Sequence, residues 1–142
     1  MVTSPYQPIV AIVNEVNYVV GAGMSYSCFS GGTKNVSTPL LFRKYGEREG
    51  WYTGIQVQNI GATRTDVTVT YRRGGETWTE IAAIDPGQSA NFWQGHTDSP
   101  LPDNFIGSAV ITSTTQPIVA IVNEVNYELP GDASMSYGGI NY

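Results

Sequence analysis

The chain has 142 residues, which fits about one domain with enough length for a proper core. Seven Lys+Arg against twelve Asp+Glu leave a net charge of −5, which disfavours nucleic acid, because phosphates need a basic surface. Only 13% of residues are charged, so polarity comes from hydroxyls and amides as in secreted all-β proteins, and no apolar run reaches the roughly 18 residues a membrane span needs.

Strand patterns follow one another along the chain and no amphipathic helix interrupts them. The first is QPIVAIVNEVNY at residues 7–18, followed by Met24-Ser25-Tyr26. Residues 36–45 form the next strand pattern. Residues 51–61, WYTGIQVQNIG, alternate, with Trp51, Thr53, Ile55 and Val57 on one face and Tyr52, Gln56 and Gln58 on the other. Residues 59–63 read as a hairpin connection. In Thr65–Arg73 the alternation puts Val67, Val69 and Tyr71 inward and Thr68, Thr70 and Arg72 outward. Gly74-Gly75 makes a tight turn into residues 77–84. Asp85-Pro86-Gly87 is a turn in which proline fixes φ and glycine supplies a positive one. Residues 88–94 are a further strand, a Pro-rich stretch at 99–103 crosses to Phe105–Ser113, and residues 117–127 close the series.

About seven short strands with turns at regular intervals predict an all-β, Ig-like antiparallel β-sandwich with Greek-key connections. A closed barrel is the structural alternative. The pattern IQVQNIGATRTDVTVTYRRGG…IDPGQSANF over residues 51–112 resembles bacterial Ig-like modules of the CARDB and adhesion type, through a V-x-N-x-G strand end and a PG-x-S turn. GSAVITSTTQPIVAIVNEVNY is similar to the closing hairpin of tandem repeats in large bacterial surface proteins. That resemblance implies an extracellular or cell-surface module. No signal peptide is present in this chain.

The twelve residues at 7–18 recur letter for letter at 116–127. The duplication extends to Val2-Thr3-Ser4 against Ile111-Thr112-Ser113 and to Met24-Ser25-Tyr26 against Met135-Ser136-Tyr137. The offset is 109 residues at Gln7/Gln116 and 111 at Met24/Met135, as in a tandem array. The expected division is a last strand of a preceding repeat at 1–22, a sandwich at 23–127, and the start of a following repeat at 128–142. Met1 aligns with Val110, inside a strand, so the chain reads as part of something longer.

In residues 117–122 both alternating faces are apolar, Ile118, Ala120 and Val122 on one and Val119 and Ile121 on the other, although a sandwich strand needs only one such face. The outer face is therefore covered from within or meets another module. Only one place exists for this strand, expected beside Phe105–Ser113, and the C-terminal copy can fill it. The N-terminal copy must dock on its own sandwich or on a neighbouring subunit, the latter by β-strand addition. Head-to-tail donation between subunits is heterologous and builds filaments. The assembly strand is then Ile9, Val10, Ala11, Ile12, Val13 and Val16. The acceptor is a closing hairpin carrying Phe105, Ala109 and Ile111 with Ile118, Ala120 and Val122. The expected partners are copies of the chain or neighbouring repeats.

Other chemistry finds few residues to work with. His96, the lone histidine, sits in a loop with no nucleophile-elbow motif elsewhere, so no enzyme is expected. One His and one Cys cannot make a structural zinc site, no calcium loop is recognisable, and no cofactor is implied. Asp85, Asp98, Asp103 and Asp132 read as turn residues. Cys28 has no disulfide partner and reads as a small buried filler. A Lys–Asn amide crosslink using Lys34 or Lys44 is disfavoured because Asn123 and Glu124 point to opposite faces. Glu124 and Asn126 are expected where the strand leaves the core. Asn35-Val36-Ser37 is a glycosylation sequon. The rival function is a carbohydrate-binding module that stacks sugars on Tyr52, Trp78 and Trp93, with a core role as the alternative for large aromatics.

Overall fold

Two tight turns set the register of the central strands. Strands β5 (Thr65–Arg73) and β6 (Glu76–Ile84) are joined by Gly74 and Gly75, with φ of 56° and 98°. A two-residue loop with both φ positive matches the twist of the strands it joins, and it places Arg73 opposite Glu76 and Tyr71 opposite Trp78. At Asp85-Pro86-Gly87 the Gln88 N–H donates to the Asp85 carbonyl at 3.1 Å while Gly87 takes a φ of 72°, a proline–glycine turn that carries the chain into β7 (Ser89–Trp93).

The computed structural model describes residues 2–19, 21–129 and 132–142; Met1 lies outside them. The remaining strands are β1 (Ile12–Asn17), β2 (Ala22–Ser27), β3 (Asn35–Arg43), β4 (Tyr52–Asn59), β8 (Phe105–Ser113), β9 (Ile118–Val125), β10 (Ser134–Gly138) and β11 (Ile140–Asn141). They form a five-stranded sheet in the order β11-β3-β8-β5-β6 and a four-stranded sheet in the order β10-β9-β4-β7. The two antiparallel sheets pack as a sandwich. A separate hairpin pairs β1 with β2. All seven strands expected from the sequence are present, as β3 to β9, and the barrel alternative is set aside.

Lettering β3 to β9 as A to G, the sheets are G-B-E and A-F-C-D. They share the B–E and C–F pairings of an immunoglobulin constant domain, whose sheets run A-B-E-D and C-F-G. The first and last strands are exchanged between the sheets, and the fourth, β6, lies beside the third, β5, instead of the fifth. The last strand, β9, therefore lies against β4 and not against β8. Residues Phe105, Ala109 and Ile111 and residues Ile118, Ala120 and Val122 are all buried, but they face one another across the core and do not form a closing hairpin. The connection between them is a corner made of hydroxyls. Thr65 Oγ1 lies 2.8 Å from Ser113 Oγ and accepts from the Thr115 N–H and hydroxyl at 3.2 and 3.1 Å, which turns the chain from one sheet to the other.

The division into units also shifts. Residues 128–142, expected to open a following repeat, supply β10 and β11, and these extend both sheets of the same sandwich through β9 and β3. Residues 23–27, expected inside the sandwich, have β1 as their one strand partner among the described residues. The reason is that Met135-Ser136-Tyr137 finds β9 as a partner, whereas Met24-Ser25-Tyr26 finds β1.

The core joins the two inner faces. Val67, Val69 and Tyr71 are fully buried, as the alternation predicts, together with Val36, Leu41, Ile55, Val57, Phe105, Ile111, Ile118 and Val122. Phe105 meets Trp78 edge to face at 5.6 Å and carries the Arg73 guanidinium 5.6 Å above its ring. Its neighbour Ile106 points outward and is 40% exposed. Phe105→Ala should therefore cost about 3–5 kcal/mol in urea denaturation, and Ile106→Ala should move the midpoint by only a small fraction of that.

Candidate functional site at the duplicated hairpin

The duplication is of a whole hairpin. In β9–β10, Glu124 lies opposite Met135, Asn123 opposite Ser136 and Val122 opposite Tyr137. In β1–β2, Glu15 lies opposite Met24, Asn14 opposite Ser25 and Val13 opposite Tyr26. The same residues pair in the same register, so the two ends of the chain fold locally into the same object.

Their surroundings differ. Strand β9 is paired on both sides, with β10 and along its full length with β4, from Tyr52 opposite Val125 to Asn59 opposite Ile118. Strand β1 is paired on one side only, and its second edge has no strand partner among the described residues. Val119 is 5% exposed and its counterpart Val10 99%. Ile12 and Val16 are also exposed, as is Ile9, whereas Ala11 and Val13 are half-buried. Full burial of Val10 or Ile12 would stabilise an interface by about 1.5–3 kcal/mol each.

The N-terminal copy docks on its own sandwich. Ser136 Oγ donates to the Ser25 carbonyl at 3.0 Å, and the Gly23 N–H donates to Asp132 Oδ1 at 3.2 Å. The Ser134 hydroxyl lies 2.6 Å from Asp132 Oδ1 and 3.3 Å from the Gly23 carbonyl. These bonds from Ser134 and from the Gly23 N–H also hold the Asp132 carboxyl below the usual carboxylate range. Strands β2 and β10 therefore run parallel with like residues abreast, joined through side chains. Asn141 Nδ2 donates to the Gly31 carbonyl at 3.3 Å, so the shadowing continues beyond β10. Cys28, expected as a buried filler, is exposed, because it directly follows β2, which lies on the outside of the sandwich. A shallow groove at this seam is lined by Ile12, Tyr26, Phe29 and Tyr137.

Glu124 does not mark an exit from the core. It is fully buried and faces inward beside Val122, a placement that alternation from Ile118 would have indicated. Thr53 Oγ1 donates to Glu124 Oε2 at 2.6 Å and accepts from the Phe42 N–H at 2.7 Å. Glu124 Oε1 has no protein partner. Burial pushes the carboxyl up from 4.5 to about 8, against the opposing effect of the Thr53 bond. The counterpart Glu15 is exposed. Lys34 is exposed and Lys44 pairs with Asp103 at 3.5 Å, so neither is a partner of Glu124.

The sugar-stacking candidates do not form one platform. Tyr52 is only 8% exposed, and Trp93 packs against Tyr52 tilted by 35° and against Tyr127 edge to face at 69°. Tyr52 donates to Glu49 Oε2 at 2.8 Å, and burial together with that carboxylate pushes its hydroxyl up to about 12. Trp93 lies over Gly54 and Gly95. Trp78 is on the other sheet, packed on Phe105. Asn35 begins β3 and is half-buried, with its carbonyl taken by the Tyr142 N–H at 3.2 Å. His96 is exposed. Among the described residues no three His, Cys, Asp or Glu side chains gather as a metal site, and no helix is long and apolar enough to cross a membrane.

The Glu124 carboxyl makes stability depend on pH. Below about 4.5 the folded and unfolded chains are both protonated and the group contributes nothing. Between 4.5 and 8 the unfolded chain releases the proton while the folded chain keeps it, so stability falls as pH rises and levels off above 8. The expected loss across that window is roughly 3–5 kcal/mol, read by urea denaturation at each pH, and Glu124→Gln should flatten the profile.

No family model matches the chain, and no curated protein matches it. Its fold is similar to the crystal structure of Thermotoga maritima 1070, with a TM-score of 0.66 at 15% identity, over 78% of this chain and 96% of that one. The likeness is one of all-β, two-sheet fold.

Proposed function

We propose that this chain is a structural module of the extracellular space or cell surface that associates head to tail through its N-terminal hairpin. The observation that carries this reading is the unpaired edge of β1, where Ile12 is 69% exposed and Val10, two residues before the strand, 99%, while the same sequence in β9 is paired on both sides. An apolar, β-branched strand edge in water is a template for pairing. The contact uses different surfaces of donor and acceptor, so it need not close and can propagate into a filament. The resemblance of residues 51–112 and of the repeated strand to bacterial surface repeats supports the location, and the low charge content fits it.

The association should be visible as size. Light scattering and negative-stain imaging of the chain are expected to show particles larger than a monomer. Val10→Lys with Ile12→Lys should return them to monomers without lowering the melting temperature, because both side chains already stand in solvent and charge blunts a strand edge. A chain that is monomeric at every concentration would remove the proposal.

A further inference from the structure

The sandwich has one slot for a QPIVAIVNEVNY hairpin, beside β4, and the chain carries two hairpins that fit it. We infer that the N-terminal hairpin of the same chain exchanges with β9–β10 in that slot, so that either end of the molecule can carry the open strand edge. The inference does not depend on self-association; it concerns which hairpin is resident and which is spare.

Three observations carry it. First, every pairing that β9 makes with β4 is available to residues 9–16 of the N-terminal copy, because residues 7–18 and 116–127 are identical. Subtracting the offset from the observed pairing puts Val16 opposite Tyr52, Glu15 opposite Thr53, Val13 opposite Ile55 and Val10 opposite Gln58. Glu15 would then receive the Thr53 hydroxyl that Glu124 receives now. Second, the spare hairpin is already alongside. The Ser134–Gly23 and Ser136–Ser25 contacts hold the N-terminal segment parallel to its copy with like residues abreast, and Asn141–Gly31 continues the contact one residue out of step. One copy can step in as the other leaves. Third, the chain can make the new connection. In the resident state Ile140 pairs with Ser37, Asn141 pairs with Val36, and the Tyr142 N–H donates to the Asn35 carbonyl. The offset of 111 that holds from Met24/Met135 onward puts Phe29 opposite Ser37 and Ser30 opposite Val36. Gly32-Thr33-Lys34 is then left as the loop, a short glycine-containing hairpin connection of a common kind.

One residue explains why the C-terminal hairpin is resident. Gly139 packs so closely on β3 that a Cβ there would lie 2.4 Å from Val36 Cγ1. Its counterpart in the N-terminal copy is Cys28, whose side chain must displace Val36 on entering the slot. Overpacking of that kind tilts the balance toward the C-terminal hairpin by roughly tenfold or more.

The exchange can be read by disulfide trapping in the full chain. Gln58 lies opposite Val119 in the resident state and opposite Val10 in the exchanged state, and directly opposed residues of an antiparallel pair are within disulfide reach. With Cys28→Ser as background, Val119→Cys/Gln58→Cys is the resident control and Val10→Cys/Gln58→Cys reports exchange, both oxidised with diamide at low protein concentration. The expected result is a crosslink within one chain for both pairs, slower for Val10. Replacing the Cys28→Ser background by Cys28→Gly should raise the Val10 crosslink roughly tenfold, because glycine removes the clash with Val36. Crosslinking of the control alone in both backgrounds would overturn the exchange. So would a Val10 crosslink found only between chains, which would leave head-to-tail association standing and assign the hairpin to a neighbour's slot.

Discussion

The pairing of β9 with β4 is the contact on which the rest of this molecule depends. It joins strands from the two ends of the domain, residues 52–59 and 118–125. It presses Ile118, Ala120 and Val122 onto the inner face of the opposite sheet. Strand β10 has a partner only because β9 is in place, and Tyr137 of β10 then reaches across to bond the backbone N–H and carbonyl of Leu40 on β3. Strand β11 follows β10 onto the edge of β3. Both sheets are thus finished by the last part of the chain. Contacts this distant in sequence form only after long loops have closed, so the hairpin is the segment expected to seat last.

Glu124 gives that pairing its register. Apolar residues on both faces of β9 would by themselves tolerate a slip, since Val119 and Ile121 could replace Ile118 and Ala120 in the core. A shift by one residue exchanges the faces and would bring Asn123 inward while removing Glu124 from Thr53. The cost of burying a carboxyl with one oxygen unpartnered is lowered by keeping it protonated. The same group that fixes the strand position thereby makes its hold weaker in alkaline solution.

Much of the sandwich was legible in the sequence because strand burial follows alternation and turns follow glycine and proline. Val67, Val69 and Tyr71 are inward for that reason, and Gly74-Gly75 and Pro86-Gly87 turn the chain where they should. The exchange of the first and last strands between sheets was not legible. Alternation says which face of a strand is buried but not which strand lies beside it, and a Greek-key order leaves several neighbours open. Cys28 and the hairpin boundaries escaped for a related reason. The repeat was read as a repeated strand, whereas its unit is a hairpin ending at Ser27 and Gly138. The shared Met-Ser-Tyr was the available signal, since a second strand in each copy is what pairs with the first. A charged residue near a strand end is expected to face solvent, but Glu124 shares the parity of Ile118 and Val122 and follows them inward.

Two identical strands in one chain raise the question of why the unpaired one does not simply aggregate. Part of the answer lies within the strand. The edge of β1 is interrupted by Asn14, Glu15 and Asn17, all exposed, and a charge with amides on a strand edge opposes flat stacking. In β9 the same glutamate is the register key inside the core. One residue type therefore does two jobs in two environments: exposed at Glu15 it guards the free edge, and buried and protonated at Glu124 it locks the paired one. The second part of the answer is the seam with β10. Ser134 and Ser136 reach the backbone of β2 through their side chains without a continuous main-chain ladder, which holds the spare hairpin in place while leaving it able to part. A full ladder at that seam would fuse the hairpin permanently to the sheet, and no seam at all would leave its apolar side chains loose in water. The side-chain seam lies between these limits.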